Sequence, residues 1–535
     1  MEDDERGAAV SHLLAISIGP VQEFIAAGRR TGDLYAGSAL IGEIVQAAAR
    51  SLAQQPGVEL IFPASAGAGA ANKILAEVRD GDPHDAAERA RAAAIRTLRE
   101  AWSDALNKLP TEHIDVALAE QQINSFLEFY AAWCPQSGDY PEDRRNVERL
   151  LAGRKALRDF KQPQKNVGTF KSPLDPARDT VLRPGENGRT PEACARAPLW
   201  LNPSEWLDAV SLLKRVRGQN QRPPSTADLT AATWLEEHSE VREVLGDAPP
   251  RAIFRSLHQE LMAEGILTDV AASGIDKALG GREPDPYFAI LQADGDGIGK
   301  KLSGIHSKPE HQEFSRTLGA FAAEARQNIR EHGGHLVYSG GDDVLAFLPV
   351  HTAIRCAVSL EKAFRATGCT LSVGLAVVHY HEPLYISLDY ARAAERKAKD
   401  ESGSRLALAV HTRGGEGRRR ICEWGAGLER WRQWIEAFRP AREVGNTNLG
   451  GLSQGFPYEV ARLAREVGNT NLPAEALRAE VARIFSRKQG SSQQDVRSLL
   501  DDSDLRDPAA IASLAEGLTL WRWLARYPIQ WEDAS

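Results

Sequence analysis

No apolar run in the sequence approaches the ~18 residues needed to cross a bilayer, so a membrane-spanning helix is not expected. A basic-then-apolar leader is missing too: the chain starts Met1-Glu2-Asp3-Asp4-Glu5-Arg6, and a cytoplasmic location is expected. Cysteine is scarce. Cys134, Cys194, Cys356, Cys369 and Cys422 stand isolated with no CxxC pair, which argues against a disulfide framework or a local zinc knuckle and leaves five small hydrophobes. An overall excess of basic charge is also absent. The net charge of −8 argues against a surface coated in lysine and arginine, so any contact with nucleic acid must come from a local groove.

What is present is ordinary for a globular protein: 42% hydrophobic and 26% charged residues. At roughly 100–200 residues per domain, the length implies about three or four domains. An apolar strand at 13–18 closes at Gly19-Pro20 and leads into helical sequence over about 21–52. Residues 58–62 read as a strand, and about 85–109 and 116–133 as helices. From about 144 the chain is charged, then rich in Pro and Gly to 222, which reads as a linker or insertion.

A clearer pattern starts at 287. A strand at 287–291 ends in acids, an amphipathic helix follows over about 311–332, and two apolar runs, 335–338 and 344–348, are joined through Ser339-Gly340-Gly341-Asp342-Asp343. A helix at 352–367, a strand at 371–379, a helix at 388–399 and a strand at 405–410 complete it. This is βαββαβ with one further helix and strand, the layout of a ferredoxin-like palm. The tail from about 418 reads as helical and rich in Trp and Arg. The expected division is a palm-like domain at 11–165, a helical linker domain at 166–282, a palm at 283–415 and a helical domain at 416–535, an α+β protein. Within the tail the nonapeptide at 441–449 recurs letter for letter at 464–472 and reads as a duplicated helix end capped by Gly445 or Gly468.

Chemistry concentrates in the 283–415 palm. Asp294-Gly295-Asp296 follows its first strand, and Asp342 and Asp343 sit in the hairpin beside it, so the topology makes the carboxylates converge. Carboxylates gathered at one sheet edge repel one another unless a cation joins them, and Mg²⁺ or Mn²⁺ prefers such oxygen ligands while keeping positions for phosphate oxygens. A two-metal nucleotidyl-transfer site is the reading, with Asp294, Asp342, Asp343 and Asp296 as metal ligands. Gly340, Gly341, Gly295 and Ser339 offer a backbone that a nucleotide approaches closely. Gly-Gly-Asp-Asp taken alone reads equally well as a plain hairpin turn; its pairing with Asp294 decides for chemistry. Lys397 and Lys399 are either ordinary C-terminal helix charges or holders of a triphosphate. His84-Asp85 reads as a helix start rather than a metal pair. The segment with Arg154, Lys155, Arg158, Lys161, Lys165 and Lys171, interleaved with Phe160 and Phe170, reads first as a solvated face and second as an RNA contact.

These residues carry a resemblance. The palm resembles that of diguanylate cyclases, and more closely that of the large Cmr-type subunit of type III-B CRISPR effector complexes. The matching pieces are residues 17–22, 33–38, 207–215 and 224–226, the Asp294 loop, the Gly340 turn and residues 372–374, together covering roughly 12–413. Against a free-standing diguanylate cyclase stand the second palm-like half and Asp343-Val344, where those enzymes favour Glu-Phe. The resemblance implies two palms facing each other around a nucleotide cleft, with the N-terminal palm degenerate because Ser17 and Gly19 replace the acid pair. It implies ATP as substrate, joined into cyclic oligoadenylates when target RNA is engaged, and partners in the other Cmr-type subunits, guide RNA and target RNA. Two features of many relatives are not expected. The first palm strand begins at about His12, leaving no room before it for an HD nuclease domain, and the stretch between the palms has only Cys194 in place of a zinc-binding cysteine cluster.

Overall fold

The computed structural model describes residues 10–67, 72–157, 170–185, 188–221, 223–400, 403–415, 417–439, 452–468, 473–488 and 499–531. Strands β1 (His12–Gly19), β2 (Val58–Phe62), β3 (Lys73–Val78) and β4 (Glu128–Pro135) form an antiparallel sheet in the order β2-β3-β1-β4. The helix Thr31–Ala53 links β1 to β2, and the helices Pro83–Leu106 and Val116–Asn124 link β3 to β4. The same plan returns in β5 (Tyr287–Asp296), β6 (His335–Ser339), β7 (Val344–Leu348) and β8 (Thr370–His379), with the helices Lys308–Glu331 and Val350–Phe364 in the two crossovers. After the helix Leu384–Lys399, β9 (Arg405–His411) joins β8 in parallel, and β10 (Arg418–Glu423) pairs antiparallel to β9. The second sheet therefore runs β10-β9-β8-β5-β7-β6. Both sheets have the ferredoxin-like strand order, so the protein is α+β with two palms.

Local chemistry starts the helices where expected. The Asp82 side chain accepts from His84 N at 2.8 Å with Pro83 in the first turn, and the Ser307 side chain caps Lys308–Glu331 by accepting from Glu310 N. Successive side chains of a strand face opposite ways, and β5 uses both faces. Ala289, Leu291 and Ala293 belong to a core shared with Phe314, Phe364, Trp434 and Trp521, whereas Phe288 and Ile290 belong to a core shared with Leu14 and Ile16 of β1. The first palm is thus packed onto one face of the second sheet and the C-terminal helices onto the other. The helix Ala209–Gln221, from the stretch expected to be a linker or insertion, contributes Leu212, Leu213 and Val216 to the inter-palm core.

Polar contacts reinforce the seam between palms. Lys308 Nζ donates to Glu59 Oε2 at 2.9 Å and to Glu77 Oε2 at 2.7 Å, the Tyr140 hydroxyl meets His311 Nδ1 at 2.7 Å, and the Tyr35 and His335 rings stack at 3.9 Å.

Four expectations are corrected. The helix read over 116–133 ends at Asn124, and its second half is β4, whose Phe129, Tyr130 and Trp133 suit a strand. Strand β3 was not anticipated. Residues 418–423, read as helical, form the edge strand β10, and Pro83 rather than Asp85 opens the helix after β3. Of the nonapeptide repeat, the copy at 441–449 lies outside the described residues; Gly468 of the other is the C-cap of Phe456–Val467.

Candidate active site

Register brings the second palm's acids to one end of the sheet. On β5, Asp294 lies opposite Ser372 and Asp296 opposite Thr370 of β8, while Ala293 lies opposite Val344 at the start of β7. The 340–343 turn therefore falls beside Asp294 and Gly295. The Gly340 N–H donates to Asp343 O at 2.9 Å, and Gly341 takes φ +105°, a conformation that favours glycine. At Gly340 a Cβ would lie 2.0 Å from the Tyr338 hydroxyl oxygen. The Ser339 hydroxyl just before the turn is buried without a hydrogen-bond partner.

The electrostatics are those of crowded acids. Burial first, then the charge of Asp343, pushes the Asp342 carboxyl above its ordinary range, and burial raises Asp343 as well. The same pair helps push up the Tyr338 hydroxyl, where burial is again the main cause, and Asp343 helps push up Glu395. Lys399 pairs its ammonium with Asp294 Oδ2, and its pKa is lowered by burial.

Asp296 is engaged elsewhere. Its carboxylate accepts from Ser372 Oγ at 2.8 Å, Thr370 Oγ1 at 3.1 Å and Ser404 N at 2.8 Å. Lys397 pairs instead with Asp400 at 2.8 Å. Of the ten residues singled out from the sequence, the structure gathers Asp294, Gly295, Ser339, Gly340, Gly341, Asp342, Asp343 and Lys399, and diverts Asp296 and Lys397.

The gathered residues suit a divalent cation: hard carboxylate donors, two of them raised in pKa, beside an unpartnered buried hydroxyl. They are not drawn together as a ligand cluster. Among the described residues, the one group of three His, Cys, Asp or Glu side chains with ligand atoms within 4.8 Å of one another is Asp82, His84 and Asp85. All three are exposed, and Asp82 is occupied as the helix cap.

A cavity of about 340 Å³ lies between the palms. Its first wall is the end of β1 and the following turn, Ser17 to Glu23; Glu128 and Tyr130 of β4 and Lys155 add to it, and Tyr338 and Asp343 close it from the second palm. Residues 17–22 were singled out from the sequence, with Ser17 and Gly19 as replacements for acids, whereas Glu128, Tyr130 and Tyr338 of the cavity lining were not. The unrecognised β4 hid the first two; the signal for it was the aromatic run after Ser125. The basic segment gives little support for RNA contact. Arg158, Phe160, Lys161 and Lys165 lie outside the described residues, Phe170 stacks on Trp206 at 4.4 Å and Lys171 pairs with Asp179 at 2.6 Å.

Residues 287–409 match the family described as Cas10/Cmr2, second palm domain, and residues 13–131 match CRISPR-associated protein Cmr2, N-terminal. Each palm thus carries a region that resembles Cas10/Cmr2 proteins. A stretch of 167 residues is 35% identical to the CRISPR system Cmr subunit Cmr2 of Pyrococcus furiosus, covering 25% of this chain and 19% of that one, so the match spans about a fifth of that relative. The fold resembles that of a chain from the type III-B Cmr-beta complex in its apo state, at TM-score 0.68 and 11% identity over 97% of this chain and 82% of the other. It also resembles one from the Csm1–Csm4 cassette in complex with one ATP, at TM-score 0.50 and 15% identity over 99% and 71%. The 13–131 region contains most of the first sheet and the 287–409 region contains Asp294, Asp342 and Asp343, so both walls of the cavity fall largely within them.

Proposed function

We propose that this chain is the nucleotide-polymerising large subunit of a type III-B CRISPR effector complex, and that it joins ATP into cyclic oligoadenylates when the complex binds target RNA. The observation that carries this reading is the placement of Asp343, beside Asp342, Gly295 and Asp294, on the wall of the inter-palm cavity. Solved relatives of this fold include the Csm1–Csm4 cassette in complex with ATP, with pppApA and with cA4, and a Cmr-beta complex bound to cognate target RNA. Other Cmr-type subunits, guide RNA and target RNA are the proposed partners. No described helix is long and apolar enough to cross a membrane, and the cytoplasm is the proposed location.

In this reaction a ribose 3′-hydroxyl attacks the α-phosphate of a second ATP and pyrophosphate leaves. Asp294, Asp342 and Asp343 would hold Mg²⁺ or Mn²⁺, which supplies charge that stabilises the phosphoryl oxygens. The Gly340-Gly341 backbone lets phosphate approach the turn, and Lys399 exchanges Asp294 for the triphosphate. The first palm, lacking acids at Ser17 and Gly19, presents the acceptor nucleotide through the cavity wall.

A second reading is a silent nucleotide-binding scaffold of the same complex, favoured by the Lys399–Asp294 pair and by the capture of Asp296. One experiment separates the two. The assembled complex with target RNA and labelled ATP is expected to form oligoadenylate, and Asp342→Ala with Asp343→Ala to abolish it while RNA binding persists. ATP binding without product in the wild type selects the scaffold.

A further inference from the structure

Two of the stretches that carry the family resemblance, 33–38 and 207–215, take no part in the chemistry above, yet they meet in the interior. Lys214 is 1% exposed. Its Nζ donates to the carbonyl oxygens of Phe24, at 2.6 Å, and Ala27, and lies 4.5 Å from the centre of the Phe24 ring. The stem packs against the helix Thr31–Ala53, with Cδ 3.0 Å from where a Cβ would stand on Gly37. Beside it, the buried Arg215 donates to both carboxylate oxygens of Asp33, at 2.8 and 3.0 Å, and to Glu205 at 3.0 Å. Asp33 in turn accepts from the N–H groups of Arg29 and Arg30 at 3.2 Å.

Lys214 and Arg215 both grip one stretch, Phe24 to Asp33, which continues directly from the cavity wall Ser17 to Glu23. The helix Gln22–Ala26 is too short to stand by itself, and its C-cap residue is Ala27. A buried ammonium is costly, and burial pulls Lys214 down to about 8, so a purely apolar contact would serve packing better. What lysine adds is donors for two carbonyls at the end of a helix.

We propose that Lys214 is a positioning residue for the inter-palm cavity: by holding the Phe24 and Ala27 carbonyls it sets Gln22 and Glu23 where they meet the nucleotide bound there. The inference rests on the nucleotide reading of the cavity.

The test is calorimetric ATP binding, with Mg²⁺, to the purified full chain, alongside its melting temperature. Lys214→Met keeps the stem and removes the donors; it is expected to weaken ATP binding about ten-fold or more without lowering the melting temperature, and Lys214→Arg to recover part of the loss. Arg217→Gln is the control, because Arg217 lies on the same helix and its ion pair, with Glu43 at 2.5 Å, lies outside the Phe24 segment. It is expected to bind ATP as the wild type does. Wild-type affinity in Lys214→Met, or an equal loss in Arg217→Gln, overturns the proposal. Gln22 and Glu23 are exposed, so Gln22→Ala with Glu23→Ala tests it independently of the buried lysine: undiminished binding overturns it as well. A wild-type chain that binds no ATP overturns the nucleotide reading itself, and the positioning role with it.

Discussion

Gly295 and Asp342 share one space: a Cβ on Gly295 would stand 3.0 Å from Asp342 Cβ and 2.6 Å from Phe364 Cζ. The turn reaches the end of β5 because this strand position carries no side chain. Gly295→Ala is therefore expected to displace Asp342 or Phe364, at an overpacking cost of about 1–3 kcal/mol, and to reduce oligoadenylate formation. Urea denaturation and product assay on the same preparation check it. Wild-type values in both would mean the turn has room to spare.

Asp343 tests the opposition between stability and chemistry. Its folded pKa lies above the ordinary 3.8, so the native state holds more protons than the unfolded chain between those values. Stability from this group falls as pH rises through that window, and at neutral pH the native state bears the cost of the charge. Asp343→Asn should raise the melting temperature in metal-free buffer and lower product formation by roughly a hundred-fold or more. A lower melting temperature would assign the carboxylate a structural role.

Lys399 and Asp294 are partly exposed, so their pair contributes at most about 1 kcal/mol to folding. Lys399→Met should leave the melting temperature nearly unchanged and raise the KM for ATP about ten-fold, with a smaller effect on kcat. Steady-state kinetics at saturating target RNA decide the matter; an unchanged KM removes Lys399 from the triphosphate.

Acid should weaken the seam between the palms. Burial pulls His311, which meets the Tyr140 hydroxyl, and His335, which stacks on Tyr35, down to about 4. With folded values below the ordinary 6.5, the unfolded chain binds more protons between pH 6.5 and 4, and stability is lost as pH falls through that window. At about 1.4 kcal/mol per unit the loss approaches ~3 kcal/mol for each histidine. Melting temperatures at pH 7 and 5 for the wild type and His311→Gln measure it: the variant should show the smaller acid shift.

The second palm was legible because long apolar runs alternate with amphipathic helices, and the Gly340 turn joins two strands whose neighbours topology dictates. The first palm was less so. β3 is six residues with a charge at its start and Glu77 inside, and β4 follows a helix after a break of three residues, so neither stands apart in a one-dimensional pattern. β10 opens with three arginines, which an edge strand tolerates and a buried one would not. Within the site, the register that sets the 340–343 turn beside Asp294 followed from topology, although the carboxylates are not drawn into one ligand cluster, and Lys397 and Lys399, two apart on a helix, do not share a face. The capture of Asp296 was hidden because it depends on Ser372 and Ser404, brought together only by the folded sheet.

The core that runs from Leu14 and Ile16 through Phe288, Ile290 and Val378 to Ala391 has a consequence in time. On the ribosome the first palm emerges while the sheet that covers it is still unmade, and at roughly 5–20 residues per second the wait until Ala391 is tens of seconds. Through that interval its greasy face is open to water and to other nascent chains, so the vulnerable moment in the life of this protein is its synthesis.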